Sequence, residues 1–140
     1  MKVLYAANAI ASGGRGGTAT TTDGKVKVQM TVPKELGGPG GAGTNPEQLF
    51  AFGYSACFLD AIKAAAKQSK TRIAADSTVA ASVGIGRRDD GTGFALEVSL
   101  QVSLPGLPAH QAEALVSQAH LICPYSHATR GNIAVWLKVV

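Results

Sequence analysis

The sequence predicts an α+β fold whose sheets are mostly antiparallel. Three observations carry this. Alternating β-branched stretches flank an Asp23-Gly24 turn near the N-terminus. A long apolar run, Leu49 to Phe58, follows an Asn-Pro helix start. Two long strands, a helical stripe and a last strand then complete an order of three strands, helix, two strands, helix, strand. A chain of 140 residues is one domain of ordinary size, and residues 1–140 are read as such.

Each element has a local cause. Lys2 to Ser12 reads as extended, with Val3, Tyr5 and Ala7 alternating against Lys2, Leu4 and Ala6. Gly13-Gly14-Arg15-Gly16-Gly17 is a loop that can bring backbone close to a neighbour. Thr18 to Thr22 and Lys25 to Val32 form a hairpin, with Val26, Val28, Met30 and Val32 on its inward face, and Pro33 ends it. The glycine run that follows contains a G-x-G-x-x-G match, Gly38 to Gly43. The helix cap lies beyond the last glycine, and no second strand ending in an acid follows. A plain loop therefore outweighs a dinucleotide fingerprint.

The long helix begins with Asn45 as N-cap, Pro46 at the first position and Gln48 at the third, as in a capping box. Glu47 meets the positive end of the helix dipole, and Lys63, Lys67 and Lys70 favour an end near Ser69. No charge interrupts Leu49 to Phe58, so the helix is expected to be buried on most sides. Strands are expected at Asp76 to Arg87 and Phe94 to Leu104, joined by Asp89-Asp90-Gly91-Thr92-Gly93. A second helix runs from Pro108 to Ile122 with Ala112, Leu115, Val116, Ala119 and Ile122 on one stripe. Pro124 disfavours helical geometry at Cys123 and starts a short helix ending at Gly131, which leaves Cys123 at its N-cap. Asn132 to Val140 is the last strand.

Net charge is +4, scattered and without interleaved aromatics, so a solvated face is favoured over nucleic-acid binding. No uninterrupted apolar run is long enough to span a membrane, and no signal-peptide pattern opens the chain. A cytoplasmic location is expected, where thiols stay reduced. Two cysteines there argue for chemistry or plain packing rather than a structural staple.

Cys57 falls among Phe50, Tyr54 and Phe58, and burial there raises a thiol pKa. A reactive Cys57 needs a cation. Lowering its pKa by two units takes about 2.7 kcal/mol, within reach of one poorly solvated arginine. Arg15 is the candidate, oriented bidentately by Glu47. The bland alternatives are an inert buried thiol, a solvated loop arginine and a capping glutamate. His120, Cys123 and His127 have metal-like spacing, but Pro124 breaks their register and no fourth ligand is evident, so no metal is expected. A Cys–His dyad for acyl transfer is the alternative enzyme reading. A non-enzymatic binder of apolar ligands, with Cys57 as a core residue, is the other.

These motifs resemble the organic hydroperoxide resistance (Ohr) proteins of the OsmC-like superfamily over the whole chain. The resemblance is carried by Gly13-Gly14-Arg15, Glu35-Leu36-Gly37-Gly38, Gly43 to Phe50, Gly53-Tyr54-Ser55-Ala56-Cys57-Phe58, Cys123-Pro124-Tyr125-Ser126 and Ala128 to Asn132. Gly16 departs from it, standing where an acidic residue is expected. The resemblance implies an OsmC-like fold, with antiparallel sheets around a long central helix in an intertwined homodimer. It also implies a cysteine-based peroxidase that reduces alkyl or lipid hydroperoxides to alcohols. Cys57 would be the peroxidatic cysteine and Cys123 the resolving one, with Arg15 and Glu47 activating the thiolate. No metal or other bound cofactor is implied. Electrons would come from dihydrolipoamide or a lipoylated protein. Phe50, Phe52, Tyr54 and Phe58 are the expected substrate-binding residues.

Overall fold

A computed structural model of the chain describes residues 1–140. The chain forms two compact units, Met1–Leu49 and Phe50–Val140, with the division falling inside the first helix.

The first unit is a three-stranded antiparallel sheet, β1 (Ala9–Ser12), β2 (Thr18–Thr21) and β3 (Lys27–Gln29), in that spatial order. The Asp23-Gly24 turn joins β2 to β3, and Thr21 Oγ1 donates to Asp23. Met30, next to β3, is the buried residue of this unit and bridges to Thr44. The extended segment expected from Lys2 is shorter than its pattern. Residues 1–8 belong to no strand and are exposed, with Leu4 at 92% and Tyr5 at 82%. Alternation alone does not make a strand where no neighbouring chain pairs with it.

The long helix α1 spans Pro46–Gln68. Asn45 Oδ1 accepts the Gln48 backbone N–H at 2.9 Å, the expected cap. The Gln48 side chain turns to the Thr44 hydroxyl, 2.9 Å away, rather than closing the capping box. At the other end Lys70 takes a left-handed conformation (φ 54°), and Thr71 N–H bonds back to the Ala66 carbonyl, as in a Schellman cap.

In the second unit α1 lies against a three-stranded sheet of β4 (Thr78–Arg87), β5 (Phe94–Ser103) and β6 (Val135–Val139). The β4–β5 pair is antiparallel and β5–β6 parallel. A parallel neighbour requires a crossover, supplied by α2 (Ala109–Ile122) and α3 (Pro124–Thr129). The core joins Tyr54, Phe58, Ile62 and Ala65 of α1 to Val98, Leu100 and Val102 of β5 and to Leu115, Val116 and Ala119 of α2. Alternate β5 residues reach it because strand side chains alternate between faces. Burying each large aliphatic group here is worth about 1.5–3 kcal/mol.

One expectation is corrected. Six residues of α1 are buried, Tyr54, Phe58, Ala61, Ile62, Ala65 and Ala66, all on one stripe. On the opposite face Phe52, at 69% exposure, and Ala56 are exposed, as are Asp60, Lys63 and Lys67. At 23 residues, α1 is long and apolar enough to cross a membrane by length and composition alone. Asp60, Lys63 and Lys67 interrupt it, and its buried stripe is committed to the protein core.

Candidate functional site: a thiol pair, an arginine–glutamate pair and an apolar cavity

Arg15 sits in a one-turn 3₁₀ segment, Gly14–Gly16. Gly13 has φ 73°, a left-handed conformation that disfavours other residues. A Cβ on Gly17 would lie 1.8 Å from the Ser12 carbonyl oxygen, so the loop closes this tightly only with glycine there. A Cβ on Gly16 would meet nothing within 4 Å, so the departure from the family pattern at that position is not required by the fold.

The loop aims Arg15 at Glu47, in the first turn of α1. Arg15 Nη1 donates to Glu47 Oε2 at 2.8 Å and Nη2 donates to Oε1 at 2.6 Å. This two-pronged pair is the arrangement that guanidinium and carboxylate geometry favour. It holds the Glu47 carboxyl below its ordinary range, against the opposing effect of burial, and raises the already high pKa of Arg15. Both residues lie in the first unit.

The thiols lie in the second unit. Cys57 is half-buried on α1 and Cys123 is fully buried at the junction of α2 and α3. Their Sγ atoms are 3.5 Å apart and unbonded, although the residues are 66 positions apart in sequence. Cys123 takes an extended conformation (φ −66°, ψ 125°) as the N-cap of α3, as Pro124 requires. Burial pushes the Cys57 thiol up. The Tyr125 backbone N–H opposes that shift, while Cys123 and the negative charge of Asp60 add to it.

Two side chains seat α3 against α1. The Tyr54 hydroxyl, fully buried, lies 3.0 Å from Ser126 Oγ and 3.2 Å from Thr129 Oγ1. The Tyr125 ring lies against Gly53, where a Cβ would fall 2.6 Å from the ring hydroxyl and 3.0 Å from a ring carbon. Gly53 is thus a close-contact position.

A cavity of about 580 Å³ opens beside this junction, lined by Phe50, Phe94, Leu96, Tyr125 and Ile133, with Arg88 at its wall. Phe50 and Tyr125 stack at 5.7 Å between ring centroids. Of the four aromatics expected at a substrate pocket, Phe50 lines this cavity. Phe52 is on the exposed face, while Tyr54 and Phe58 are fully enclosed in the core. The helical period explains the division: positions 50, 54 and 58 share one face, and 52 lies nearly opposite. The other walls come from β5, α3 and the segments that follow β4 and α3. Tyr125, inside the second cysteine motif, is the one whose place in the sequence pointed here. The structure brings no three of His, Cys, Asp and Glu together in a metal-binding group, so His120, Cys123 and His127 do not form the triad that their spacing raised.

Comparison with known proteins agrees with this architecture. The OsmC-like protein family model matches residues 38–138. The organic hydroperoxide resistance protein of Xanthomonas axonopodis pv. citri is 49% identical over 138 residues, covering 99% of this chain and 96% of that protein. Among solved structures, an organic hydroperoxide resistance protein OsmC of Legionella pneumophila has a TM-score of 0.92 at 46% identity, covering 99% of this chain and 98% of that one. The organic hydroperoxide resistance protein OhrB of Bacillus subtilis has a TM-score of 0.90 at 39% identity, covering 99% and 100%. The chain belongs to the OsmC/Ohr superfamily, among its organic hydroperoxide resistance proteins.

Proposed function

We propose that the protein acts in organic hydroperoxide resistance as a thiol-dependent peroxidase, reducing alkyl or lipid hydroperoxides to alcohols. The observation that carries this reading is the pair of free thiols 3.5 Å apart. The names of its relatives support it.

In this reading the Cys57 thiolate attacks the peroxide oxygen farther from carbon. The O–O bond breaks, the alkoxide takes up a proton and leaves as the alcohol, and Cys57 becomes a sulfenic acid. Cys123 then attacks the Cys57 sulfur, forming an S–S bond and releasing water before further oxidation occurs. A dithiol, a dihydrolipoyl group free or on a lipoylated protein, reduces the disulfide by exchange. Arg15, held by Glu47, supplies the cation that a thiol raised by burial needs. That role rests on the resemblance and on the pair's own geometry. Phe50 and the cavity wall favour an apolar substituent on the peroxide.

We also propose a homodimer working in the cytoplasm with no bound cofactor. The exposed Phe52 and Ala56 of α1 and the exposed Val3, Leu4 and Tyr5 support a second copy as their cover. Sedimentation at micromolar concentration should give a dimer; a folded monomer refutes this.

The decisive experiment follows consumption of cumene hydroperoxide with dihydrolipoamide. Wild type should turn over and Cys57→Ser should not. Cys123→Ser should consume about one equivalent and accumulate oxidised Cys57. Mass spectrometry of wild type after one equivalent of peroxide should show a Cys57–Cys123 disulfide within one chain. Equal consumption by Cys57→Ser would overturn the proposal.

A further inference from the structure

The loop that carries Arg15 has little of its own to hold it in place. From Gly13 to Gly17 every residue but Arg15 is glycine. Its internal backbone bonds are long: Gly16 N–H to the Gly13 carbonyl at 3.3 Å, and Gly17 N–H to the Gly14 carbonyl at 3.2 Å. Glycine loses more backbone freedom on ordering than any other residue, so such a loop resists being fixed. The two-pronged contact with Glu47 nevertheless demands one placement of the guanidinium.

The ties come from the end of β3 and converge on one atom. The Gly17 carbonyl oxygen accepts the Met30 backbone N–H at 2.8 Å and the Gln29 side-chain amide, through Nε2, at 2.7 Å. The same Nε2 lies 3.2 Å from the Met30 carbonyl oxygen. Both acceptors are carbonyls, so both N–H donors of the amide are engaged. Gln29 is exposed, yet its amide is turned back onto the main chain instead of out to water. The main chain of the same residue reaches toward the other member of the ion pair. The Gln29 carbonyl accepts the Thr44 N–H at 2.9 Å, and Thr31 N–H bonds to the Thr44 carbonyl at 2.8 Å. Thr44 stands just before the Asn45 cap, and Glu47 follows in the first turn of α1. Gln29 therefore joins the loop that carries Arg15 to the segment that carries Glu47. All of these contacts lie within the first unit.

We propose that Gln29 is a positioning residue for Arg15, latching the glycine loop so that the guanidinium stays on Glu47; its bearing on catalysis rests on the peroxidase reading above. Gln29 touches no reacting atom. It acts by lowering the freedom of a loop that cannot order itself. Removing the amide leaves the Met30 tie in place, so the loop loosens without unfolding.

The test is Gln29→Leu, which keeps the bulk of the side chain and removes its donors, read in two ways. The first is NMR titration of the Glu47 carboxyl, which Arg15 holds below its ordinary 4.5 and on which no other side chain acts. In Gln29→Leu its midpoint should rise toward 4.5. The second is the rate of cumene hydroperoxide loss in a double-mutant cycle with Arg15→Ala. Gln29→Leu should slow the Arg15 protein roughly 2- to 10-fold, the worth of one hydrogen bond, and should slow Arg15→Ala no further. An unmoved Glu47 midpoint overturns the latch. So does an equal slowing in both backgrounds, which would be a general effect on the fold. A raised midpoint with an unchanged rate keeps the latch and removes Arg15 from the peroxidase mechanism. A wild-type protein that leaves the peroxide intact overturns the peroxidase reading itself, while the Glu47 titration still decides on the latch.

Discussion

Replacing Tyr54 by Phe deletes one hydroxyl and keeps the ring. That hydroxyl bonds Ser126 at 3.0 Å and Thr129 at 3.2 Å, and Tyr54, Ser126 and Thr129 are 0%, 0% and 5% exposed. Thr129 keeps its bonds to the Tyr125 and Ser126 carbonyls, so it is not stranded. Ser126 is different, because Tyr54 is its side-chain partner, and the variant leaves its hydroxyl buried and unpaired. Two lost bonds at about 1 kcal/mol each, one of them leaving an orphan, give a destabilisation of about 2–3 kcal/mol. At roughly 3 °C per kcal/mol for a chain of this size, the melting temperature should fall by roughly 6–9 °C. Ser126→Ala on its own removes one bond and strands less. In the double variant no serine hydroxyl is left unpaired, so the two costs should sum to about 1 kcal/mol more than the double variant shows. Thermal denaturation followed by circular dichroism measures all three. The same variants should slow disulfide formation more than peroxide consumption, since α3 begins directly after Cys123. An unchanged melting temperature for Tyr54→Phe, or strict additivity in the double variant, would refute the claim that this hydroxyl seats α3.

Arg15→Ala should raise the Cys57 pKa and slow peroxide reduction, with only partial rescue by Arg15→Lys, because an ammonium cannot keep both contacts to Glu47; the pH dependence of Cys57 alkylation checks it, and unchanged profiles would remove Arg15 from the mechanism. The folded-state pKa of Glu47 lies below its ordinary 4.5. The stabilisation it contributes is therefore complete above pH 4.5 and lost as pH falls through the lowered folded value; acid unfolding should show this loss in wild type and a smaller one in Arg15→Ala. Lys70→Gly should stabilise the fold by up to about 1 kcal/mol in urea denaturation, because it relieves a left-handed lysine at the end of α1; a loss of stability would mean the lysine side chain contributes more than its backbone conformation costs.

What was legible in the sequence was mostly local. The Asn45 cap, the extent of α1 and the placement of Cys123 before a proline-started helix follow from residues within one turn of each other. The strand expected from Phe94 to Leu104 is β5, while its inward face, Val98, Leu100 and Val102, comes from the structure. The pairing of Arg15 with Glu47 across 32 positions came from complementary chemistry and the family resemblance, and the geometry agrees. Long-range facts were harder to read. The alternation of Lys2 to Ala7 looked like strand, but these residues belong to no strand and are exposed. The apolar run of α1 was expected to be buried on most sides, because composition cannot say how many neighbours one chain supplies. The cavity walls Phe94, Leu96 and Ile133 carry no motif; only the sheet register brings them beside Phe50.

The two sulfurs in contact, drawn from positions 66 apart, tie the redox state of the protein to its foldedness. Joining them closes a large ring in the unfolded chain, and on the chain-entropy model a ring of that size costs the unfolded state about 4 kcal/mol. An oxidised molecule should therefore resist unfolding more than a reduced one. The same quantity read in reverse says that the native fold favours the bond, by an effective molarity that an unfolded chain lacks. A reductant with one thiol must form a mixed disulfide while the displaced cysteine stays within reach and can return. A reductant carrying two thiols on one small frame can match that intramolecular advantage with its own ring closure.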